Sequence, residues 1–195
     1  TDFVRNARTE ELEELFLREI SEGIGPAGIR AGIIGEIGCS RSEIDRSEEK
    51  VLIASGRTSR RTNTAVSTHC DMGRLGREQL DLLLATGMDS DKIILGHTDL
   101  TGSVPYQLTL LEAGANIAFD TIGKTAYLSD ERRAECICDL LDKGYGDKLL
   151  LSQDVSRRTY LKENGGAGYC MVLEHFIPLL INKGVSDSEI KKMLV

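Results

Sequence analysis

The chain has 195 residues, of which 41% are hydrophobic and 28% charged, a composition that predicts one soluble globular domain over residues 1–195. Its net charge of -7 argues against a general nucleic-acid binder, and no apolar run approaches the roughly 20 residues that cross a bilayer. Five cysteines with no signal peptide before them argue against a disulfide framework and favour the cytoplasm.

Amphipathic stretches alternate with short apolar runs from the beginning of the sequence. Thr9 to Gly23 has helical spacing, with Thr9 as the expected N-cap and Gly23 just past the end. A predicted strand, Ile29 to Glu36, follows a turn. The next predicted helix runs from Ser42 to about Arg60, with Ser42 or Ser47 as its cap.

The same alternation continues to the end of the sequence. The other predicted strands are Ala65 to His69, Lys92 to His97, Ala115 to Asp120 and Leu149 to Ser152. The other predicted helices are Arg77 to Thr86, Val104 to Ala113, Ser129 to Lys143, Met171 to Lys183 and Ser186 to Leu194. Strict alternation of strand and helix predicts an α/β fold in which right-handed crossovers join parallel strands.

Most of the predicted strands end on, or just before, a side chain of the metal-ligand type. These residues are Glu36, His69, His97, Asp120 and Asp154. A carboxylate such as Glu36 at the end of a buried strand must be neutralised, ion-paired or bound to a metal, because its unpaired burial costs too much. Two imidazoles and a further carboxylate at later strand ends favour a metal site.

The succession of polar strand ends also favours one architecture. An open doubly wound sheet binds its ligand only around the switch point, whereas a (β/α)8 TIM barrel gathers side chains from many strand ends. A complete barrel has about 250 residues, and five strands cannot close without exposed edges. We therefore expect a partial TIM barrel that contains about the last five βα units, with about three units missing at its start.

Five short motifs follow one another along the chain. They are Gly-Ile-Ile-Gly-Glu-Ile-Gly around Glu36, Ser-Thr-His-Cys-Asp around His69, Ile-Leu-Gly-His-Thr-Asp around His97, Ile-Ala-Phe-Asp-Thr-Ile-Gly-Lys at 117–124, and Leu-Ser-Gln-Asp before Arg157 and Arg158. In this order they resemble the phosphotriesterase family of the amidohydrolase superfamily, and more closely its phosphotriesterase homology branch. The resemblance extends over essentially the whole chain.

The resemblance implies a hydrolase with two divalent metal ions, usually zinc, whose bound hydroxide attacks an ester or lactone. Glu36 would bridge the metals where many relatives have a carboxylated lysine. His69 and His97 would bind the second metal. Asp154 would bind the first metal and accept a proton from the bridging hydroxide. This chain has no match for the His-X-His pair that completes the first metal's ligands, so we expect it to bind metal weakly or not at all by itself.

Polar side chains after the last two predicted strands suggest how a substrate is bound. Lys124 follows the fourth strand, and Arg157, Arg158 and Tyr160 follow the fifth. An arginine fork matches phosphate or carboxylate oxygens, which predicts an anionic small-molecule substrate. The resemblance suggests a phosphorylated sugar lactone. The stretch Gly165 to Gly168 is a candidate mobile lip over the site.

Other interpretations remain open at this stage. Glu36 can be a structural ion-pair member, and a lone histidine is more often a core residue than a ligand. Asp120 can contact substrate or support a ligand. The barrel can instead be a metal-free binding or scaffold protein, or an enzyme that catalyses deamination or decarboxylation. A His-X-His pair on the first strand of the full-length protein would favour the hydrolase. The sequence does not identify the substrate or the metal, and a homodimer is possible.

Overall fold

The computed structural model describes residues 1–39 and 42–194, which form a parallel β-sheet with helices between successive strands. Each strand pairs with the next strand in the sequence. Within the described residues the strands are β1 Ile34–Cys39, β2 Val66–Cys70, β3 Ile93–Gly96, β4 Asn116–Phe119 and β5 Leu149–Leu151. Because all pairs are parallel, the carboxyl ends lie along one edge, which we call the rim.

Helices connect the strands in the order that the sequence predicts. The α-helices are α1 Asp2–Asn6, α2 Thr9–Ser21, α3 Arg46–Thr62, α4 Gly76–Ala85, α5 Val104–Glu112, α6 Asp130–Asp142, α7 Ile177–Asn182 and α8 Asp187–Leu194. Short 3₁₀ turns at Asp71–Gly73 and Thr98–Thr101 follow β2 and β3 at the rim. Over the part of the chain that the structure describes, no helix is long and apolar enough to cross a membrane.

A large hydrophobic core packs the sheet against its covering helices, and a second, smaller cluster includes Leu12 of α2 and Ala54 of α3. The strands contribute fully buried β-branched and leucine side chains, including Val66, Ile93 and Ile117. The helices contribute Leu80 and Leu140 to the same cluster. Burial of each such side chain stabilises the fold by about 1.5–3 kcal/mol, so this shared core fixes the strand ends that form the rim.

The first strand differs from its prediction. It was expected over Ile29 to Glu36 but occupies Ile34–Cys39, so Glu36 lies inside the strand. Ile29 forms an isolated antiparallel bridge with Ile24 across a tight turn and is 70% exposed. The apolar run therefore includes residues that lie outside the core, so hydrophobicity alone predicted the wrong bounds for the strand.

Two helix caps also differ from their predictions. Thr9 is the first residue of α2 and not its cap, because the N-cap is Arg8, whose backbone N–H donates to Glu11 at 2.7 Å. Neither Ser42 nor Ser47 caps α3. Asp45 accepts hydrogen bonds from the first turn, and Glu48 accepts one from the backbone of Asp45, which is a capping box.

The helix predicted over Met171 to Lys183 is not one continuous α-helix. Residues Val172–Phe176 form a π-helical turn, and α7 follows it. Pro178 lies in the first turn of α7. Because proline lacks an N–H and its ring crowds the carbonyl one turn earlier, a regular α-helix cannot continue through it unchanged. The wider turn before it accommodates the proline.

Candidate metal centre

The rim brings Glu36 into contact with two histidines from the next two strands. Glu36 Oε1 lies 3.0 Å from His69 Nδ1 and 3.1 Å from His97 Nε2. The two imidazole rings meet edge to face, with centroids 4.6 Å apart. The three potential ligand atoms all lie within 4.8 Å of one another. This set of two nitrogens and a carboxylate oxygen suits a divalent metal such as zinc.

Asp120 orients the second histidine. Its Oδ1 accepts a hydrogen bond from His97 Nδ1 at 2.8 Å and another from the His97 backbone N–H at 2.8 Å. The carboxylate therefore fixes a proton on Nδ1 and directs Nε2 towards Glu36. A carboxylate behind a histidine is the usual support of a metal-binding imidazole. Of the two roles considered for Asp120, support of a ligand is the one its contacts favour.

Charge is concentrated at this cluster. Hydrogen bonds from His69 and then His97 hold the pKa of Glu36 far below its ordinary value. Burial alone would lower the pKa of His97, but Asp120 and Glu36 outweigh it and raise the pKa to about 10. Each ring nitrogen of His97 therefore faces a carboxylate, Nδ1 that of Asp120 and Nε2 that of Glu36. Because a metal ion binds a ring nitrogen that carries no proton, metal binding at Nε2 releases any proton held there.

Glu36 has the partner that the sequence argument required, but not the burial on which that argument rested. Its side chain is 47% exposed, whereas that of His97 is only 9% exposed. The partners are the two imidazoles and not a lysine or arginine. The cluster therefore opens to solvent on the glutamate side and is closed behind His97.

A cleft of about 340 Å³ opens over the cluster. Seven of the eight side chains predicted for metal or substrate line it, namely Glu36, His69, His97, Lys124, Asp154, Arg157 and Tyr160. Asp154 lies in this cleft but outside the three-residue cluster, and its Oδ2 accepts from Lys124 Nζ. Arg158 is exposed and is not among the lining residues.

Lys124 lies between a carboxylate and an aromatic ring. Its Nζ is 4.8 Å from the centroid of the Tyr160 ring, and its side chain is only 13% exposed. A cation over a ring face is attracted by the ring quadrupole, in addition to its ion pair with Asp154. The cleft therefore contains a positioned cation close to the candidate metal ligands.

Two of the predicted ligands have backbones in the left-handed region. His97 has φ 59° and Asp154 has φ 42°. Non-glycine residues rarely adopt such angles, which cost of order 1–3 kcal/mol each and persist only where surrounding structure imposes them. At His97 the bonds to Asp120 provide that constraint. Apolar periodicity carries no signal for this conformation.

Glycines allow the strand ends to approach closely. A Cβ atom on Gly38 would lie 2.2 Å from the carbonyl oxygen of His69. A Cβ atom on Gly96 would lie 2.3 Å from the carbonyl oxygen of Thr68 and 3.0 Å from Asp120 Oδ2. The two contacts with carbonyl oxygens are much shorter than van der Waals distances allow, so these positions accept no larger residue without movement of the rim.

Two buried glutamines support the histidine segments, and the sequence analysis did not identify them. Gln79 of α4 donates to the His69 carbonyl at 2.9 Å, and Gln107 of α5 donates to the Thr98 carbonyl at 3.2 Å. Each glutamine follows its histidine by ten residues in the sequence. That repeated spacing was a usable signal, because it places the same side chain at equivalent points of two βα units.

Solved structures that resemble this chain share its fold. It is 39% identical over 193 residues to the phosphotriesterase homology protein of Escherichia coli, covering 99% of this chain and 66% of that protein. The crystal structure of that relative with phosphate in its active site has a TM-score of 0.96 and covers 100% of this chain and 67% of that one. The predicted barrel class is thereby confirmed.

Two further relatives are named as hydrolytic enzymes. An N-acetyltaurine hydrolase of Dictyostelium discoideum is 30% identical, covering 100% of this chain and 56% of that protein. A mutant phosphotriesterase-like lactonase of Deinococcus radiodurans is 30% identical, with a TM-score of 0.86, covering 96% of this chain and 62% of that one. The chain thus spans between about half and two thirds of the length of these relatives. The phosphotriesterase family model matches residues 3–195, and the chain belongs to that family.

Proposed function

We propose that the protein is a metal-dependent hydrolase of anionic ester or lactone substrates that acts through a pair of divalent ions, with zinc as the expected metal. Within this chain, Glu36, His69, His97 and Asp154 would hold the metals, and Lys124, Arg157 and Tyr160 would bind the substrate. The observation that carries the proposal is the position of Glu36 Oε1 between two imidazole nitrogens at 3.0 and 3.1 Å.

The donor set fits the proposed metals. Imidazoles are preferred zinc ligands, and a carboxylate placed between them can offset the repulsion of two cations. When bound, such a metal pair supplies an activated water and polarises the scissile carbonyl or phosphoryl oxygen. The convergence of these donors at the rim favours an enzyme over a metal-free scaffold.

The chain's own residues would perform the remaining steps. Asp154 lines the same cleft and can accept a proton as the nucleophile attacks. Its Oδ2 accepts a hydrogen bond from Lys124 Nζ, which holds the carboxylate at the cleft wall. Asp120 would hold the His97 ring so that Nε2 faces the ion throughout.

The cation in the cleft supports an anionic substrate. Lys124 is held at the Tyr160 ring and Arg157 lines the same wall, so two positive groups face the space where a substrate would bind. The crystal structure of the Escherichia coli relative has phosphate, an anion, in its active site. This arrangement suits a phosphorylated lactone better than a neutral phosphotriester.

A second candidate is hydrolysis of an anionic amide. The observation that favours it is the group of N-acetyltaurine hydrolases among the relatives, at 27–30% identity. N-acetyltaurine combines an amide with a sulfonate, and the same cation could bind a sulfonate. The two candidates differ in the scissile bond and agree on the role of Lys124.

The test uses the full-length protein loaded with zinc and a panel of a phosphorylated lactone, a neutral lactone, an aryl phosphotriester and N-acetyltaurine. We expect Lys124→Met to raise the KM for the anionic substrates by about tenfold or more, with a small effect on the neutral lactone. Lys162→Met is the matched control, because Lys162 pairs with Glu174 on the surface. Failure of the wild-type protein to hydrolyse any substrate would reject the proposal.

A further inference from the structure

The helix after β4 contains a fully buried arginine, Arg133, whose partners come mostly from the rim. Its side chain and that of Asp99 are both 0% exposed. Arg133 Nε donates to Asp99 Oδ2 at 2.6 Å, and a terminal nitrogen donates to Thr121 Oγ1 at 2.8 Å. The other terminal nitrogen donates to Asp130 Oδ1 at 2.9 Å and to the carbonyl oxygen of Leu128.

These partners belong to the two loops that carry candidate site residues. Asp99 lies two residues after His97, in the 3₁₀ turn that follows β3. Thr121 and Leu128 lie in the segment between β4 and α6, which also contains Lys124. The guanidinium thus joins the segment of a proposed metal ligand to the segment of the proposed substrate cation.

A second link extends from the same arginine to the neighbour of Lys124. Asp130, which pairs with Arg133, also accepts hydrogen bonds from the Gly123 backbone N–H at 3.0 and 3.2 Å. Gly123 has φ 85°, so the chain turns sharply immediately before Lys124. The backbone at the base of the Lys124 side chain is therefore fixed through Asp130.

The free-energy cost of burying this arginine indicates that its role goes beyond packing. Burial of an ion pair removes the solvation of both charges, and well-packed apolar side chains often stabilise a core better. Four hydrogen bonds in a planar fork offset only part of that cost, because Asp99 Oδ1 is buried with no partner among the described residues. All four acceptors lie in the rim segments or, like Asp130, contact one. The bonds are directional, so they specify the relative position of the loops.

We propose that Arg133 is a positioning residue that holds Lys124 in register with His97. The inference rests on the proposed function for the roles of those two residues, but its structural part does not require activity. Arg133 does not line the cleft, and it acts through Asp99, Thr121 and Asp130. It is thus a determinant of substrate affinity behind the cleft wall.

The test compares full-length wild-type protein with Arg133→Lys, which keeps the charge and loses the planar fork. Hydrogen exchange is measured without metal or substrate. We expect amides of 98–102 and 121–129 to exchange about tenfold faster, while those of β2 keep their rates. Thr121→Val removes one partner and should give a smaller change in the same segments. Arg77→Lys is the control, because Arg77 pairs with Asp81 on its own helix surface.

Kinetics supply the second readout. Arg133→Lys should raise the KM for an anionic substrate more than for a neutral lactone and change kcat less than KM. Unchanged exchange in both loops, or equally faster exchange throughout the chain, would overturn the inference. Faster exchange in both loops together with an unchanged KM in an active enzyme would also overturn the inference. If the wild-type protein hydrolyses nothing, the proposed function fails, and the exchange result alone decides whether Arg133 positions the loops.

Discussion

Asp120 binds His97 twice with one oxygen, once at the backbone N–H and once at the ring Nδ1, each at 2.8 Å. The carboxylate thereby fixes the left-handed backbone of His97 and the direction of its ring. We expect Asp120→Ala to weaken zinc binding by the full-length protein by about 10–100-fold, the usual effect of removing such a support. Competition with a chromogenic chelator measures the affinity.

Two variants sharpen this prediction. Asp120→Asn can still accept from Nδ1 through its amide oxygen, so its loss of affinity should be smaller than that of Asp120→Ala. Asp81→Asn serves as control, because Asp81 is exposed and pairs with Arg77. Equal zinc affinity in wild-type protein and Asp120→Ala would contradict the support role.

Replacement of Glu36 tests the centre of the cluster. Glu36→Gln keeps the size of the side chain and one accepting oxygen but removes the negative charge between the proposed metals. We expect the metal content of the full-length protein after dialysis to fall below that of wild type, with loss of hydrolysis. Elemental analysis gives the metal content, and exposed Glu22→Gln is the control. Retention of wild-type metal content would show that Glu36 is not a ligand.

Substitution of Gln79, the buried glutamine behind His69, tests whether this residue positions the histidine segment or stabilises the fold. Gln79→Met loses a hydrogen bond worth about 0.5–1.5 kcal/mol but also removes Oε1, which has no partner among the described residues and costs about 1–3 kcal/mol. These effects offset each other. We therefore expect a small change in the free energy of unfolding, measured with urea, together with weaker zinc binding. Gln107→Met should behave in the same way.

A large loss of stability in Gln79→Met would mean that Oε1 is satisfied in solution. Wild-type zinc affinity in both glutamine variants would mean that the helix donors do not position the histidine segments.

The cysteines are expected to react in an order set by burial. Burial raises the pKa of the Cys39 and Cys70 thiols to about 12, so at pH 8 only about one in ten thousand is ionised. Because thiolate is the reactive form, raising the pH to 9 should leave these two unlabelled. Cys138 and Cys170 are partly exposed and should label first with iodoacetamide. Mass spectrometry of native and urea-unfolded protein checks the order, and early labelling of Cys39 would contradict it.

The sequence was sufficient to predict the convergence of the candidate site. Short apolar runs identified the strands, and parallel strands necessarily bring their carboxyl ends to one edge, so Glu36, His69 and His97 could be placed together. Asp154 was a candidate on the same ground, and the resemblance to the phosphotriesterase family, which the comparisons confirm, implied its role. The bounds of β1 could not be predicted, because an exposed residue such as Ile29 has the same hydrophobicity as a core residue.

Other features depend on tertiary contacts that have no local sequence signal. Arg133 occupies an ordinary position in a charged helix, and only the folded chain shows that it is buried against Asp99. The left-handed backbone of His97 depends on Asp120, which lies 23 residues away. Apolar spacing could indicate neither of them, since each depends on which loops meet at the rim.

The close approach at Gly96 limits how the site can change. At that position the backbone has room for a hydrogen atom alone, because the Thr68 carbonyl and the Asp120 carboxylate occupy the space of a first side-chain carbon. A library that randomises this codon should return glycine from every selection that demands a working centre. New substrate preferences must consequently be sought in the loops beyond the strand, where side chains can be exchanged without moving the ligands.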